Sequence, residues 1–309
     1  MQQYLHIFSY HHEDLHLYQL EQKYIYNQQD TESRYFLDIS IKDIGDSSFG
    51  ETVIELFHSS SSLDSMKSYL NQNLPFLENV RLVNLSIGFL PKCSFNDLST
   101  LFKSIRLSAK LKNPDHIYIL TRTENEWHFG KQVAKCPKKW SLHRTKPETM
   151  SSAIPHILAR TIVLFLKNLG ARSFIDFCCG SGTFSLEAAS LNLKVTSMDL
   201  NPNMVEMTRK NMLFFGYSST YVNTNAAQSH IEADSGVVDF PYGFHCERDM
   251  EEEKQIIKNA IRRTKWVCLI HGEDLTHHIK KSGGEVFETM IIPAVNVKRY
   301  IHFVSSDNV

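Results

Sequence analysis

Residues 174–183 constrain the fold of this chain most, because they join a strand, a glycine turn and a helix directly. The apolar run Ser173–Phe177 predicts a buried strand, and the turn after it contains Gly180 and Gly182. Glycine permits tight backbone geometry and lets a ligand approach the main chain closely. A helix that begins at Thr183 offers unpaired N–H groups in its first turn. The segment therefore predicts a ligand site at the end of a strand.

The residues after this turn alternate between strand and helix patterns, which indicates a largely parallel sheet covered by helices. The predicted fold class is α/β, with a Rossmann-like seven-stranded domain. Its predicted helices are 155–169, 183–193, 202–215 and 251–263, with Asn201 as an N-cap and Pro202 at the first helical position. The predicted strands are 173–177, 195–198, 221–223, 237–240, 266–271, 287–293 and 297–304.

The first half of the chain has a mixed pattern that predicts a smaller α+β domain. Its predicted strands are 4–10, 35–41, 80–87, 116–122 and 127–134, and its predicted helices are 14–26, 63–74 and 95–110. Regular patterns stop between Cys136 and Ser152, a stretch that contains Pro137 and Pro147. We expect an N-terminal domain over 1–135, a basic linker over 136–152, and a second domain over 153–309.

Composition favours a folded protein without a membrane segment. Of the 309 residues, 42% are hydrophobic and 22% are charged, the balance of a globular chain. No apolar run is long enough to span a bilayer, and the N-terminus lacks the pattern of a secretory signal, so we expect a cytoplasmic location. The six cysteines form no CxxC pair and no histidine cluster completes a zinc site, so we expect reduced thiols and no metal.

A basic segment stands out in a chain whose formal net charge is only −1. Between Glu126 and Glu148 there is no acidic residue. Such a segment is typical of a polyanion partner and equally of a solvated linker, so charge alone leaves both interpretations open. Its basic residues are Lys131, Lys135, Lys138, Lys139, Arg144 and Lys146.

Three further features make the glycine turn more specific. The third glycine of the dinucleotide fingerprint is missing, and Asp199 ends the next predicted strand, where a carboxylate can bind ribose hydroxyls. Asp176 precedes the glycines, where a carboxylate can order the loop and face a cationic ligand. The pattern Asp-x-x-x-Gly-x-Gly-Thr, followed by Asp-Leu-Asn-Pro from Asp199, resembles the class I S-adenosylmethionine methyltransferases.

The resemblance implies that S-adenosylmethionine is the cofactor. It implies that the glycines line the methionine part and that Asp199 binds the ribose. Many members of this class carry an acid after the third strand that contacts the adenine amine, and Asn225 stands at that place, where its amide oxygen can accept the same bond. The expected cofactor-binding residues are Asp176, Cys178, Gly180, Ser181, Gly182, Thr183, Asp199, Leu200, Asn225 and Ala226.

A second motif follows the fourth strand of this domain. Asp239-Phe-Pro-Tyr242 resembles the Asp/Asn-Pro-Pro-Tyr motif of methyltransferases that act on exocyclic amines of bases. An aryl amine is a poor nucleophile, and oxygen acceptors on its hydrogens localise the lone pair. We expect Asp239 and the carbonyl of Phe240 to be these acceptors, with Tyr242 stacking on the base and Pro241 completing the catalytic motif.

The segment before the glycine turn adds a substrate class. Trp140–Pro147, Ser151–Ile154 and His156–Arg160 are similar to the THUMP-associated tRNA guanine-N2 methyltransferases. The resemblance implies RNA, with tRNA as substrate and guanine N2 as target. It also implies a role in RNA binding for the N-terminal domain over 1–135. If basic residues contact RNA phosphates, the affinity for RNA should fall as the salt concentration rises. The expected substrate-binding residues are Lys138, Lys139, His143, Arg144 and Lys146.

Other functions remain open from the sequence. The substitutions at Phe240 and Asn225 also fit a non-catalytic RNA-binding protein on a methyltransferase scaffold. A DNA amino-methyltransferase has the same chemistry, although no large target-recognition insertion is evident. A small-molecule methyltransferase fits less well with the basic segment and the N-terminal domain. The sequence predicts no particular protein partner.

Overall fold

The chain divides into two compact units. The computed structural model describes residues 1–90, 92, 94–150, 153–240, 249–294 and 297–306. Residues 1–18 and 29–138 form the first unit, and residues 19–28 and 139–309 form the second. The segment predicted as a linker, 136–152, is thus divided between the units after Lys138. None of the helices in the described ranges combines the length and apolarity needed to cross a bilayer.

The first unit contains a seven-stranded sheet in the order β2-β1-β3-β7-β6-β4-β5. The elements of residues 1–138 are β1 (Tyr4–Phe8), α1 (Leu15–Tyr24), β2 (Tyr35–Asp38), β3 (Gly50–Ser60), α2 (Leu63–Asn73), β4 (Leu77–Asn84), α3 (Phe95–Ser104), β5 (Leu107–Ala109), β6 (His116–Arg122) and β7 (Trp127–Lys135). One hydrophobic core of this unit contains Met66 and Leu70 from α2, Leu101 from α3, and Leu120 and Phe129 from the sheet.

Two elements of this unit differ from the prediction. The helix expected over 95–110 ends at Ser104, and residues 107–109 form β5 instead. Strand β5 pairs in parallel with β4, whose amide at Leu77 donates to the carbonyl of Arg106 (3.0 Å). Pairing with an open sheet edge therefore overrides the helical period. Strand β3, which was not predicted, lies between β1 and β7 and is the longest strand of this sheet.

The second unit contains a seven-stranded sheet in the order β10-β9-β8-β11-β12-β14-β13, which confirms the predicted α/β class. The first five strands of this order are mutually parallel, and β14 runs antiparallel to β12 and β13. Its elements are α4 (His156–Asn168), β8 (Ser173–Asp176), α5 (Thr183–Ser190), β9 (Lys194–Asp199), α6 (Pro202–Phe214), β10 (Thr220–Asn223), β11 (Ala233–Asp239), α7 (Met250–Arg263), β12 (Thr264–His271), α8 (Thr276–Lys281), β13 (Gly284–Ala294) and β14 (Val297–Ser306).

The strand order fixes where a ligand can bind. Strand β8 lies in the middle of the parallel part, and the chain leaves it towards β9 on one side and returns to β11 on the other. A sheet with such a reversal opens a crevice beyond the carboxyl ends of its strands. The ends of β8, β9, β10 and β11 therefore meet at one edge. Helix α6 begins there, and its predicted cap is confirmed, because the Asn201 side chain accepts from the amide of Asn203 (3.0 Å).

Gly236, in the middle of β11, has no room for a side chain. A Cβ there would lie 2.9 Å from Cε2 of Phe177 and 3.0 Å from the carbonyl oxygen of Ile175. We expect Gly236→Ala to lower the free energy of unfolding by about 3 kcal/mol, the upper end of the usual cost of overpacking, because one of the two crowded atoms belongs to the backbone. Thermal or urea unfolding of the full chain measures this change.

Gly216→Ala is the matched control in the same unit. Nothing lies within 4 Å of a Cβ at Gly216, although its φ is +75°. That variant should cost only the left-handed conformation of a side-chain-bearing residue, roughly 1 kcal/mol. Equal losses for the two variants would contradict the packing explanation.

Candidate functional site

A cavity of about 390 Å³ opens at the carboxyl edge of the second sheet. Its wall is formed by the turn after β8, by the ends of β9, β10 and β11, and by the first turns of α7. The wall contains three carboxylates and no lysine, arginine or histidine among the described residues. Its polar and sulfur-bearing members include Met150, Cys178, Cys179, Ser181, Thr183, Asp199, Met204, Asn225, Asp239 and Glu252.

The glycine turn has the backbone that the sequence predicted. Gly180 and Gly182 have φ values of +51° and +77°. A Cβ at Gly182 would lie 2.8 Å from Cγ2 of Thr208 on α6. The hydroxyl of Thr208 donates to the carbonyl of Gly180 (2.9 Å). Glycine is thus required at 182 by close packing, while Gly180 lies on the cavity wall.

Asp199 connects the glycine turn to the neighbouring strand. Its Oδ2 accepts from the amide of Gly180 and its Oδ1 accepts from the amide of Asn201, both at 2.9 Å. The carboxylate lies on the cavity wall beside Leu200, whose side chain is exposed. Asp199 therefore holds the turn in shape and presents negative charge at the place predicted for the ribose.

Asp176 lies below the cavity and not on its wall. Its Oδ2 accepts from the amide and the hydroxyl of Ser185 in α5 (3.1 and 2.7 Å), while Oδ1 is buried and receives no hydrogen bond from the described part of the chain. Burial raises the pKa of Asp176 to about 7, against the lowering effect of the bonds from Ser185. The side chain thus anchors the helix that follows the turn, as one half of its prediction required. The other half, that it faces a cationic ligand directly, does not agree with this position.

Lys146 corrects the prediction of a phosphate contact. The residue is only 5% exposed, and its ammonium donates to Ser181 Oγ (2.9 Å) and to Thr183 Oγ1 (2.6 Å). Burial lowers the pKa of Lys146 to about 8, and the nearby charges of Asp176 and Glu187 raise it. A buried ammonium with these partners is not available to an RNA phosphate. It supports the glycine turn from within the second unit.

His143 is also placed differently from its prediction as a substrate-binding residue. The side chain is buried, and its Nδ1 lies 2.7 Å from Glu187 Oε1. His156 Nδ1 lies 3.2 Å from the same oxygen, and the Arg160 guanidinium is 3.7 Å from Glu187 Oε2. Ring nitrogens and carboxylate are thus engaged with one another inside the unit. His143 connects the 3-10 turn Lys139–Thr145 to α5.

This cluster bears on the expectation of no metal site. One ligand atom from each of His143, His156 and Glu187 lies within 4.8 Å of the others. The guanidinium of Arg160 supplies the positive charge next to the carboxylate. Hydrogen bonds and an ion pair therefore account for the arrangement, and the absence of a metal site stays a prediction.

The remaining predicted RNA-binding residues lie at the surface. Lys139 and Arg144 are exposed within the second unit. Lys138 is half-buried in the first unit, where its ammonium forms an ion pair with Glu51 (2.6 Å). Lys139 and Arg144 thus offer charge to a partner, whereas the charge of Lys138 is already balanced.

Asp239 ends β11 on the cavity wall. Its Oδ1 is buried and has no hydrogen-bond partner among the residues that the structure describes. Burial raises the pKa of Asp239 to about 7; Arg299 lowers it and Asp176 raises it further. An acceptor without a donor at the rim of a ligand cavity is suited to bind a donor on the ligand. The structure thus brings Asp239 together with the glycine turn.

Phe240 follows Asp239 and is buried on the cavity wall. Its amide donates to the carbonyl of Ile270 (3.1 Å), and its ring packs edge-on against His271 at 5.6 Å. These contacts fix the end of the strand without the first proline of the motif. Pro241 and Tyr242 lie outside the described residues.

The two cysteines after β8 lie among carboxylates on the cavity wall. Burial raises the pKa of both the Cys178 and the Cys179 thiols far above the ordinary range, and the surrounding carboxylates add to the effect. Both therefore stay neutral thiols that line the cavity.

Glu252 is a cavity residue that sequence reasoning missed. It lies in the first turn of α7 and accepts a hydrogen bond through Oε1 from Nδ2 of Asn225 (2.7 Å). Ala226, also predicted, is buried on the wall beside Asn225. Nothing in the local pattern distinguishes Glu252 from the acidic residues next to it, so only the fold could find it.

The wall fits the expected cofactor. S-adenosylmethionine carries an ammonium, a sulfonium and one carboxylate but no phosphate, and it contains ribose hydroxyls and a purine. A wall whose described residues include three carboxylates and no basic side chain, together with apolar and neutral polar side chains, suits such a net cation better than a phosphorylated dinucleotide. The residues present would hold it through Asp199, the glycine turn and the region of Asn225 and Ala226.

Comparison with known proteins agrees with this geometry. Residues 174–266 match a family model described as "Methyltransferase domain", a range that includes the glycine turn, Asp199 and Asp239. TrmN from Thermus thermophilus is 16% identical with a TM-score of 0.50, over 98% of this chain and 99% of that one. A possible methylase from Clostridium difficile 630 is 14% identical with a TM-score of 0.50, over 100% and 99% of the two chains.

At these identities the likeness shows the fold. It confirms the Rossmann-like architecture expected from the sequence. Residues 174–266 of the second unit are thus similar to a methyltransferase domain, and S-adenosylmethionine is the cofactor that this similarity implies.

The buried ammonium of Lys146 provides a test of the glycine turn. Lys146→Met removes both hydroxyl contacts and the charge below the turn. We expect the affinity for S-adenosylhomocysteine to fall about tenfold, because the turn loses its support. Calorimetry measures this change. Lys139→Met, at an exposed position of the same unit, should bind the ligand as the wild type does; equal losses in both variants would contradict the role of Lys146.

Proposed function

We propose that this protein transfers a methyl group from S-adenosylmethionine to an exocyclic amine of a base in RNA, with guanine N2 in tRNA as the target. The observation that carries the proposal is Asp239. Its Oδ1, which no described residue contacts by a hydrogen bond, lies at the end of β11 on the wall of the same cavity as the glycine turn. A second acceptor, the carbonyl of Phe240, is adjacent in the chain.

The chemistry asks for such acceptors. The lone pair of an aryl amine is delocalised into the ring, and an ionised carboxylate that accepts from the amine hydrogens localises it. When bound, the cofactor supplies an electrophilic methyl group on its sulfonium. Asp239 would orient the amine towards that methyl group, and positioning of the two reactants would supply much of the rate. The carboxylate group must be ionised for this role.

Two features support RNA as the acceptor. Lys139 and Arg144 are exposed in the unit that holds the cavity, within a stretch without acidic residues. The same stretch resembles the THUMP-associated tRNA guanine-N2 methyltransferases in sequence. RNA proteins of this kind read shape and an exposed base, and phosphate contacts from a few basic residues give their affinity a salt dependence.

Methyl transfer to RNA tests the proposal. Wild type, Asp239→Ala and Asp239→Asn are incubated with labelled S-adenosylmethionine and unmodified bulk tRNA, followed by nucleoside analysis. We expect label in N2-methylguanosine with the wild type and a loss of at least about a hundredfold in both variants, the scale of a lost electrostatic contact in a transition state. Binding of S-adenosylhomocysteine should stay nearly unchanged.

Asp274→Asn is the matched control, since Asp274 is an exposed aspartate away from the cavity that contacts Thr276. It should turn over as the wild type does. Normal turnover in Asp239→Ala would refute the catalytic role. Binding of the cofactor without any transfer to tRNA would favour a scaffold that binds RNA without catalysis, and transfer to DNA alone would favour the DNA alternative.

The raised pKa of Asp239 predicts a pH dependence. The carboxyl group is protonated below about pH 7 and ionised above it. Because only the ionised form accepts hydrogen bonds through both oxygens, kcat/KM for RNA should rise as the pH passes through 7 and then level off. Single-turnover rates at low enzyme concentration, measured between pH 5.5 and 8.5, test this. We expect the rate to change on the order of tenfold per pH unit on the acidic side. A flat profile, or a fall over this range, would contradict the assignment.

A further inference from the structure

We infer that Glu252 accepts a hydrogen bond from the 6-amino group of the cofactor's adenine, and that Asn225 is the positioning residue that aims it. The inference rests on the proposed function in one respect, which is the direction in which the cofactor lies. It goes further by assigning the recognition of the base to a side chain on α7, a helix outside the strand ends that carry the sequence motifs.

The order of the strands gives the direction. Along the carboxyl edge, β11 with Asp239 lies on one side of β8, and β9 and β10 lie on the other. For transfer to occur, the methyl group of the cofactor must face the base amine that Asp239 holds. The adenosine end of the molecule therefore extends past Asp199 at the end of β9 towards the end of β10, where Asn225 and Ala226 follow.

One face of α7 is built into this end of the cavity. Glu252, Ile256 and Asn259 stand at positions i, i+4 and i+7 and so share a face. The amide of Asn259 donates to the carbonyls of Ala226 (2.7 Å) and Ser229 (2.9 Å), which attaches the helix to the turn after β10. Glu252 and Ile256 line the cavity one turn apart. The wall thus offers an apolar side chain next to a carboxylate, which suits a purine with one amino group.

Asn225 fixes the direction of the Glu252 carboxylate. The Asn225 Oδ1 accepts from the amide of Ala227 (2.8 Å), so its Nδ2 must be the atom that faces Glu252. Nδ2 donates to Glu252 Oε1 at 2.7 Å. Within the described part of the chain, Oε2 of Glu252 receives no hydrogen bond from a side chain. One oxygen is held by the protein and the other is available to a donor on the ligand.

The chemistry distinguishes the two residues at this place. Asn225 has its oxygen committed to the backbone and presents an N–H₂ group, which would oppose an amine. The carboxylate of Glu252 has only acceptors, so it selects a base with a donor at position 6. The asparagine at the position where the family pattern has an acid is therefore compatible with adenine recognition, because the acid comes from another element.

Binding of cofactor analogues to the protein in the absence of RNA tests the inference. Calorimetry compares S-adenosylhomocysteine with the analogue in which hydrogen replaces the 6-amino group of adenine. We expect the wild type to bind the analogue about tenfold more weakly, a modest ratio because Glu252 is only partly buried. In Glu252→Gln the N–H₂ group of the glutamine should face the 6-amino group of adenine. The affinity for S-adenosylhomocysteine should therefore fall, and the ratio between the affinities for the two ligands should approach one.

A double variant tests the direction of the hydrogen bond. In Asn225→Asp combined with Glu252→Gln, the new aspartate accepts from the glutamine Nε2, which turns the glutamine oxygen towards the base. The ratio between the two ligands should then recover most of its wild-type value. Glu251→Gln is the matched control, because Glu251 is exposed in the same turn and pairs with Lys254. It should leave both affinities unchanged.

The outcomes separate this inference from the proposed function. A wild-type ratio near one, or a ratio that Glu252→Gln leaves intact, would overturn the role of Glu252 even if RNA is methylated. If the two ligands bind with the expected ratios of affinity but no methyl group is transferred to RNA, the role of Glu252 is supported. Only the proposal that RNA is the methyl acceptor is then contradicted. The wild-type measurement decides the question if a variant unfolds, because it requires no substitution.

Discussion

The hydrogen bond from the amide of Gly180 to the carboxylate of Asp199 is the contact on which the rest of the site depends. It joins the turn after β8 to the end of β9 at 2.9 Å. With this bond in place, the left-handed backbone of Gly180 and Gly182 is held from one side by Asp199 and from the other by Thr208. The ligand wall is thus preformed by the protein. The acidic residue predicted to bind a ribose also maintains the backbone next to it.

Charge at the site is arranged in two layers. On the wall, Asp199, Asp239 and Glu252 present carboxylates to the ligand. Below the wall, the ammonium of Lys146 lies near Asp176 and Glu187, whose charges favour its protonated form. The lower layer keeps a cation under the turn without exposing it, and so the wall itself stays negative. With carboxylates on the wall and the ammonium below it, the site favours a cationic ligand over one that carries phosphate groups.

Much of the second unit could be predicted from sequence because its signals are local. The strand, the two glycines and the first turn of α5 are contiguous, and Asn201 with Pro202 marks the start of α6 within two residues. The buried contacts could not be predicted in this way. Lys146 meets Ser181 and Thr183 across 35 and 37 positions, and no spacing rule separates it from an exposed lysine such as Lys139. In the first unit, β5 became a strand because β4 offered it an edge, a condition that no window of sequence contains.

The stretch between Lys139 and Met150 changes what counts as the smallest working piece of this protein. It reads as a connector, yet His143 and Lys146 are part of the interior and Met150 is part of the ligand wall. A fragment that started at the first helix after it, α4, would lose the cation below the turn and one side of the cavity together. A cut before Lys139 keeps these residues with the cavity but separates residues 19–28 from the second unit, so no single cut of this chain releases that unit whole.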